Sequence, residues 1–381
     1  MIGSVQSRRS LIPLAVLAAS CADRVPPPET VTTYTAQPDL AIGAMEGDGE
    51  DVFGRVSGLA VDGLGRIFVS DAQSHEIRVF DQHGTFQFRI AQKGGGPGEL
   101  DGPCCLAFDP AGRLWVRDVN NARYNRYRVA SEAAEYEGMI RMNHAAAGFW
   151  NPTTFDSSGN LIDVGMATGA AGPEVVRYRV DSSGTVLGSI QIRQPPADSV
   201  GEAMLPVEFP GGRTGFRYYQ QPFGPQHRVA HAPTGEWAKV LTGVYAVEWF
   251  GSDNEPLRVV RRDLEPVPVT PAERDSVETR LVDELRRFGK RMSDLPWGIP
   301  DAKPPVRGIF FDEQGRLWVE RSVAEGRPSK ADVFERSGAL AFSVEWPRNV
   351  SLLTAAIGQN AIVGVQVDEL GVHHVVRLVF S

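Results

Sequence analysis

A short segment that interleaves arginines with aromatic residues carries the clearest chemical signal in the sequence. Its candidate ligand-contacting residues are Arg213, Phe216, Arg217, Tyr218 and Tyr219. Aromatic rings offer stacking surfaces and guanidinium groups pair with anions, so this composition is typical of a recognition surface. Trp297, in a later segment, could plug or line a central opening. The alternative is that these aromatic residues only cover one end of the fold.

Four acidic residues that end similar β-rich segments define a second candidate site. They are Asp71, Asp118, Asp163 and Glu320. If these segments lie side by side, the carboxylates form an acidic ring near one mouth of the fold, with oxygen ligands that suit Ca²⁺. Acidic side chains at such positions also cap the turns that follow them, and we favour that interpretation. We therefore predict no cofactor and no metal, and keep Ca²⁺ at these residues as the alternative.

Signatures of other catalytic chemistry are weak. Of the 7 His residues, His227 and His231 lie four positions apart, and a shared strand would place both side chains on one side. The sequence contains no G-x-S-x-G nucleophile elbow. The glycine-rich residues 94–98 lack the Gly-Lys-Ser/Thr of a P-loop. We therefore favour binding over catalysis.

Composition limits the class of protein further. The 381 residues include 47 Asp plus Glu and 39 Lys plus Arg, which gives a formal net charge of −8. A hydrophobic fraction of 42% excludes bulk disorder, and the lack of a basic block argues against nucleic acid as a partner. The 40 Gly and 27 Pro residues favour many short elements joined by turns over a mostly helical fold.

An internal repeat organises the chain into pairs of strands. Residues 61–71, Val-Asp-Gly-Leu-Gly-Arg-Ile-Phe-Val-Ser-Asp, recur at 108–118, 155–163 and 311–320, with weaker copies at 231–237 and 359–363. Each copy predicts a strand, an Asp-x-x-Gly turn and a second strand. The Asp side chain caps the turn and the Gly adopts a positive φ.

The spacing of these turns predicts the architecture. The marker positions 62, 109, 156, 231, 312 and 359 are separated by 47, 47, 75, 81 and 47 residues. A period of 47 suits the four-stranded blade of a β-propeller. Six markers therefore predict an all-β, six-bladed propeller in a single domain over residues 37–381. The last blade lacks an outer strand, so residues 40–44 should pair into it and close the ring.

The two long intervals predict insertions at residues 194–226 and 264–305, both on one face of the propeller. Long loops on a rigid scaffold commonly carry binding. The second insertion predicts a helix between blades four and five, with Thr270 and Glu273 as a capping box and Gly289 ending the helix. Its apolar stripe should pack on the propeller face as a lid, and a partner-binding helix is the alternative.

The N-terminal residues 1–20 predict a signal peptide that directs export. Two arginines precede the apolar residues 11–20, which are too few to span a bilayer. Residues 17–21, Leu-Ala-Ala-Ser-Cys, resemble a bacterial lipobox, although Ala18 stands where Leu is usual.

The lipobox resemblance implies cleavage and lipidation at Cys21, which would anchor the protein to a membrane without spanning it. The neutral Ala22 then implies the outer membrane of the cell envelope. Ordinary cleavage after a small residue is the alternative. Residues 21–36, rich in Pro and Thr, read as a tether.

The remaining cysteines, Cys104 and Cys105, are adjacent. Export permits a disulfide, but neighbouring cysteines pair only through a strained ring. Two small buried residues is therefore the interpretation we favour.

The first repeat carries a family resemblance. Residues 58–62, 65–71, 77–81 and 94–100 resemble an NHL repeat, and residues 37–381 resemble the six-bladed propeller lipoproteins of bacteria. Relatives by fold include lyases, lactonases and binding modules, so the fold alone does not supply the function. We predict a lipid-anchored monomer that binds a protein, peptide or glycan on its loop-rich face. The alternative is a lactonase-like, metal-dependent hydrolase or lyase at the channel mouth.

Overall fold

The computed structural model describes residues 31–47, 49–142, 153–169, 172–358 and 361–380. The predicted signal peptide, Cys21 and most of the predicted tether lie outside these ranges. The described chain is nearly all β-structure, with one α-helix, and its first strand is β1 (Thr33–Ile42). None of its helices combines the length and the apolar character needed to cross a bilayer.

Four antiparallel sheets each contain four strands in chain order. Sheet I contains β2 (Val56–Val61), β3 (Ile67–Asp71), β4 (Glu76–Phe80) and β5 (Phe86–Ile90). Sheet II contains β6 (Pro103–Phe108), β7 (Arg113–Asp118), β8 (Arg123–Val129) and β9 (Ala134–Arg141). Sheet III contains β10 (Thr154–Phe155), β11 (Leu161–Gly169), β12 (Gly172–Val180) and β13 (Val186–Gln191).

The two predicted insertions flank sheet IV. The first forms a hairpin of β14 (Glu202–Phe209) and β15 (Arg213–Gln220). Sheet IV contains β16 (His227–His231), β17 (Trp237–Leu241), β18 (Ala246–Phe250) and β19 (Pro256–Arg261). The second insertion contains β20 (Val267–Pro268), α1 (Pro271–Arg287) and β21 (Ala302–Lys303).

The remaining strands form one sheet of eight strands. Its first half contains β22 (Val306–Phe311), β23 (Leu317–Arg321), β24 (Ser329–Phe334) and β25 (Leu340–Trp346). Its second half contains β26 (Val350–Ile357), β27 (Ala361–Val367), β28 (His373–Phe380) and β1.

The first strand links the two halves of this sheet. Ala36 to Ile42 pair antiparallel with β28, while Thr33 to Thr35 pair in parallel with β25. The sequence predicts a tether that ends at residue 36 and a closing strand that begins at residue 40. The structure corrects both limits, because β1 already begins at Thr33. Residues that the Thr-rich composition assigned to the tether pair in parallel with β25.

The repeated turn has the predicted geometry and an additional feature. In the second repeat, Asp109 accepts hydrogen bonds from the backbone N–H groups of Ala111 and Arg113, and Gly112 has a φ of +77°. The second carboxylate oxygen accepts from Arg113 Nε at 2.7 Å and from Trp115 Nε1 at 2.9 Å. The turn is thereby tied to the sheet core.

Hydrophobic clusters join consecutive sheets. They lie between sheets I and II, II and III, III and IV, sheet IV and the first half of the eight-stranded sheet, its two halves, and its second half and sheet I. Buried tryptophans, among them Trp115, Trp249 and Trp318, belong to these clusters. Face-to-face packing of successive four-stranded sheets is the arrangement of a β-propeller.

Cys104 and Cys105 form a disulfide in β6. The favoured interpretation of two separate buried residues was therefore wrong, although both residues are indeed buried. Cys105 has a φ of +58°, a backbone conformation that accompanies an irregular register between β6 and β7. The residue types alone do not predict the positive φ of Cys105.

Candidate functional site

The two insertions pack on each other and form a cap, defined here as residues 202–220 and 270–297. Ala203 and Tyr219 of the hairpin contact Leu281 and Leu285 of α1, together with Leu295, in one buried cluster. The predicted apolar stripe of the helix is therefore confirmed. Its partner differs from the prediction, because the stripe packs on the hairpin rather than directly on the propeller face.

The helix begins and ends as its sequence predicts. Thr270 Oγ1 accepts a hydrogen bond from the Glu273 N–H at 3.2 Å, and Glu273 Oε2 accepts one from the Thr270 N–H at 3.1 Å. Gly289 follows the helix with a φ of +66°, and the N–H of Lys290 donates to the Leu285 carbonyl. Both ends are thereby satisfied within the cap.

Packing within the cap occupies several of the predicted binding residues. Arg217 Nη2 donates to Glu284 Oε1 at 2.7 Å, and its guanidinium lies 5.4 Å from the Phe288 ring. Tyr219 is 2% exposed, and Trp297 packs partly buried against the same cluster. These three side chains therefore hold the cap together, as the covering interpretation of the aromatic segment anticipates.

The opposite face of the hairpin remains exposed. Successive residues of a strand point to opposite faces, so Phe216 and Tyr218 face away from α1. Phe216 is 65% and Tyr218 52% exposed, beside Met204, which pairs with Tyr218 across the hairpin. Arg213 is also exposed, at the start of β15. These are the predicted recognition residues that stay available to a ligand.

Replacing Leu285 tests whether the cap is a separately packed unit. Leu285 is fully buried, and Leu285→Ala should cost about 3 kcal/mol of local packing energy. We expect faster hydrogen–deuterium exchange in β14 and β15 while exchange in sheets I and II is unchanged. Arg280→Ala, an exposed position on the same helix, is the control and should leave exchange as in the wild type. Uniformly faster exchange throughout the chain would contradict a separate unit.

A basic cavity of about 480 Å³ lies beside the cap, between sheet IV and the first half of the eight-stranded sheet. Its walls are the beginnings of β16 and β22, the β23–β24 loop and parts of both insertions. All of these belong to the strand ends from which the insertions emerge. The cavity therefore opens on the loop-rich face.

Positive charge dominates this basic cavity. Its lining includes five cationic residues, Arg228, Lys303, Arg307, Arg327 and Arg348. It also includes two acidic residues, Glu273 and Glu325. Lys303 Nζ lies 2.5 Å from Glu273 Oε1 and donates to the Val323 carbonyl, and Glu325 accepts from Thr270 Oγ1. Both acidic residues are thus engaged by neighbouring side chains.

Two arginines of the basic cavity carry uncompensated charge. Arg327 and Arg348 are exposed, and neither has an ion-pair partner in the described part of the chain. Arg307, by contrast, pairs with Glu320 at 3.1 Å. Free guanidinium groups on a concave wall suit carboxylate, sulfate or phosphate groups of a ligand.

The exposed hairpin face adjoins the basic cavity through Arg228. Burial lowers the pKa of Arg228, and the nearby charges of Glu202 and Tyr218 oppose that shift. Burial and a hydrogen bond to Glu202 raise the pKa of Tyr218 well above its usual value, so its hydroxyl stays protonated. A ligand in the basic cavity could therefore extend onto the aromatic face of the hairpin.

The four acidic candidates bind backbone or side-chain groups within the sheets and between neighbouring sheets. Asp71 accepts from the backbone N–H groups of Gly54 and Arg55, both at 2.9 Å. Asp118 accepts from the Asp101 N–H at 2.8 Å and from Arg123 Nε at 3.1 Å. These contacts hold the chain segment that enters each sheet. Burial by itself would raise the pKa of Asp71, but the backbone hydrogen bonds that it accepts outweigh burial and lower the pKa.

The other two acidic candidates are likewise engaged. Asp163 accepts from the Tyr124 hydroxyl, and Glu320 pairs with Arg307. Burial raises the pKa of Glu320, against the charges of Arg307 and Arg228. Within the described ranges, no three His, Cys, Asp or Glu side chains are grouped closely enough to hold a metal.

A second cavity, of about 360 Å³, lies between the first strands of the sheets and is called here the inner cavity. Strands β2, β6, β10, β16, β22 and β26 each contribute to its lining. His231 lines this cavity, whereas His227, at the other end of β16, faces Gln194 at 3.1 Å. Four residues of strand separate them by roughly 13 Å, so they share a face but no common site.

Sequence reasoning missed the basic cavity. Its five cationic residues are spread from position 228 to position 348, so they form no local cluster in the sequence that would predict a shared site. Arg228, Lys303 and Arg307 lie in or next to the predicted insertions, whereas Arg327 and Arg348 lie in later parts of the chain. The insertion lengths were the one signal that pointed to this region.

Comparison with known families supports the propeller fold. A family model described as a 6-bladed beta-propeller, DUF5128, matches residues 46–101. This match covers sheet I and the segment that leads to sheet II. No curated protein matches the sequence significantly.

Several solved structures are similar in fold. A presumptive exported protein from Bacteroides fragilis is 11% identical, with a TM-score of 0.46, over 92% of this chain and 99% of that one. Virginiamycin B lyase from Staphylococcus aureus is 11% identical, with a TM-score of 0.42, over 85% and 94%. The PQQ-bound aldose sugar dehydrogenase from Streptomyces coelicolor is 12% identical, with a TM-score of 0.46, over 91% and 98%. At this level of similarity, their activities do not transfer to this chain.

Proposed function

We propose that this protein is an exported, lipid-anchored propeller that binds a glycan or peptide bearing acidic groups on its loop-rich face. One observation carries the proposal: the basic cavity presents Arg327 and Arg348 without ion-pair partners in the described chain, on the face that holds both insertions. Unpaired cations in a concave site attract and orient the anionic groups of a ligand.

The scaffold we propose is a closed ring of six blades. Sheets I to IV would be four blades, and the two halves of the eight-stranded sheet would be the other two. The inner cavity supports this count, because each of the six first strands contributes to its wall. The antiparallel pairing of β1 with β28 would close the ring, and the repeat would be of the NHL type.

The exposed hairpin face would extend the site. Phe216 and Tyr218 offer stacking surfaces on this face, and Arg213 adds an exposed positive charge at the hairpin turn. Sugar rings and peptide side chains both stack on such aromatic residues, while the arginines of the basic cavity would pair with the acidic groups of the ligand. The ligand would bind with little backbone change, because the cap is already packed in the free protein.

A binding panel tests the proposal. Purified residues 22–381 would be titrated with fluorescently labelled oligogalacturonate, oligoglutamate and a neutral oligogalactoside of equal length. We expect saturable binding of at least one acidic oligomer, weakened by added salt because exposed charges are screened. Equal binding of the neutral oligomer, or binding of no acidic oligomer, would contradict the proposal.

The membrane anchor is proposed from the lipobox resemblance around Cys21. A thioether-linked diacylglycerol at this residue would hold the monomeric propeller at the outer membrane, through its tether. Metabolic labelling with a clickable palmitate analogue should label the full chain in a bacterial host, and Cys21→Ser should remove the label and release the protein from membranes. Equal labelling of both forms would contradict lipidation at this residue.

The arrangement does not favour the metal-dependent hydrolase that the sequence left as the alternative. Asp71 and Asp118 are each committed to the turn or segment beside them rather than directed to a common point. The favoured activity is therefore recognition.

A further inference from the structure

The inner cavity is lined mainly by apolar and aromatic side chains. Most of the wall is apolar, with aromatic rings contributed by Phe108, Phe155 and Phe311. The Asp residues of the repeated turns also reach it, but Asp109 and Asp312 are already held by Arg and Trp donors. A volume of about 360 Å³ lies within the range of small-molecule pockets.

One polar side chain in this wall has no partner. His231 lies at the end of β16, and both of its ring nitrogens are buried without a hydrogen-bond partner in the described structure. Burial lowers its pKa to about 3, with the charge of Arg177 adding to the shift. The imidazole is therefore neutral and offers one N–H donor and one acceptor nitrogen.

A second unpartnered group lies in the same wall. The hydroxyl of Thr153, just before β10, is also buried without a hydrogen-bond partner in the described residues. Buried polar groups are nearly always hydrogen-bonded, because leaving them unpaired is costly. His231 and Thr153 both line one apolar cavity, and a few polar atoms in an apolar wall are the pattern of a ligand site in which those atoms orient an apolar molecule.

We propose that the inner cavity binds a small aromatic molecule with one hydroxyl group, which hydrogen-bonds to the imidazole of His231 while its ring packs against the phenylalanines. This site is distinct from the basic cavity on the loop-rich face and does not depend on it. The ligand chemistry also differs, since the inner cavity selects an uncharged ring and the basic cavity selects an anion.

Two related probes test this proposal: 2-naphthol, which has the hydroxyl group, and naphthalene, which lacks it. Binding would be followed by their fluorescence with purified residues 22–381. We expect both to bind, with 2-naphthol about tenfold tighter, the effect of roughly one net hydrogen bond. In His231→Phe the tenfold difference should vanish while naphthalene binding remains.

Two further variants keep the test decisive. His227→Phe changes a histidine on the same strand outside the inner cavity and should preserve the tenfold difference. Ala107→Leu places added volume in the cavity wall and should weaken both probes, even if His231→Phe fails to fold. If the cavity holds only water, neither probe will bind saturably, and the proposal fails. Equal discrimination by the wild type and His231→Phe would also overturn it.

Discussion

Reversing the charge of Arg327 and Arg348 together should lower the affinity for an acidic oligomer at least about a hundredfold. Each reversal replaces an attraction by a repulsion, and a tenfold loss per residue corresponds to about 1.4 kcal/mol. The expected loss is large because neither arginine has an ion-pair partner in the described chain, so each can interact fully with a ligand. The measurement is a titration of the double variant with the labelled oligomer that the wild type binds best.

A matched double variant separates the site from the overall charge. Arg280→Glu with Arg287→Glu makes the same change in net charge at exposed positions of α1 outside the basic cavity. We expect this variant to bind within about threefold of the wild type, because neither residue lines the basic cavity and salt screens the interactions of exposed charges. An equal loss in both double variants would show a general charge effect and no specific site.

Asp312→Asn should lower the free energy of unfolding by about 2–3 kcal/mol. Asp312 Oδ2 accepts from Arg316 Nε at 2.7 Å and from Trp318 Nε1 at 3.0 Å, and Trp318 is fully buried. An amide at this position sets an NH₂ group against one or both of these donors, and unpaired buried donors are costly. Urea denaturation followed by tryptophan fluorescence measures the loss.

Asp81→Asn is the control for the turn itself. Asp81 accepts from the backbone N–H groups of His83 and Thr85 at 2.8 and 2.9 Å, the same turn geometry, but holds neither an arginine nor a tryptophan. An amide oxygen can keep both backbone bonds, so the expected change is under about 0.5 kcal/mol. Similar losses in the two variants would show that the Asp–Arg–Trp link does not fasten the turn to the sheet.

The sequence was most informative where structure is local and repeated. The Asp-x-x-Gly turns specify hairpins through contacts within a few residues, as Asp109 and Gly112 illustrate. Capping signals likewise define α1 from Thr270 to its end. These features recur or follow local rules, so the spacing of 47 residues was enough to place most strands.

The candidate site was less predictable because it depends on contacts between distant parts of the chain. Arg217 looked like a ligand-binding residue, but Glu284, which lies 67 positions later, binds it. The basic cavity joins Arg228 to Arg348, and no periodic pattern relates them. Similarly, the pairing of Thr33 with Ser343 extended β1 into the predicted tether, which composition alone could not indicate.

The most direct test of the central claim is hydrogen–deuterium exchange of the wild type with and without a saturating acidic oligomer. Binding at the basic cavity predicts slower exchange in the β23–β24 loop, residues 322–328, around Arg348 and in the exposed hairpin of the cap. Exchange in the Asp-x-x-Gly turns at the opposite strand ends should not change. Protection confined to those turns, or no protection in the β23–β24 loop at saturation, would contradict recognition on the loop-rich face.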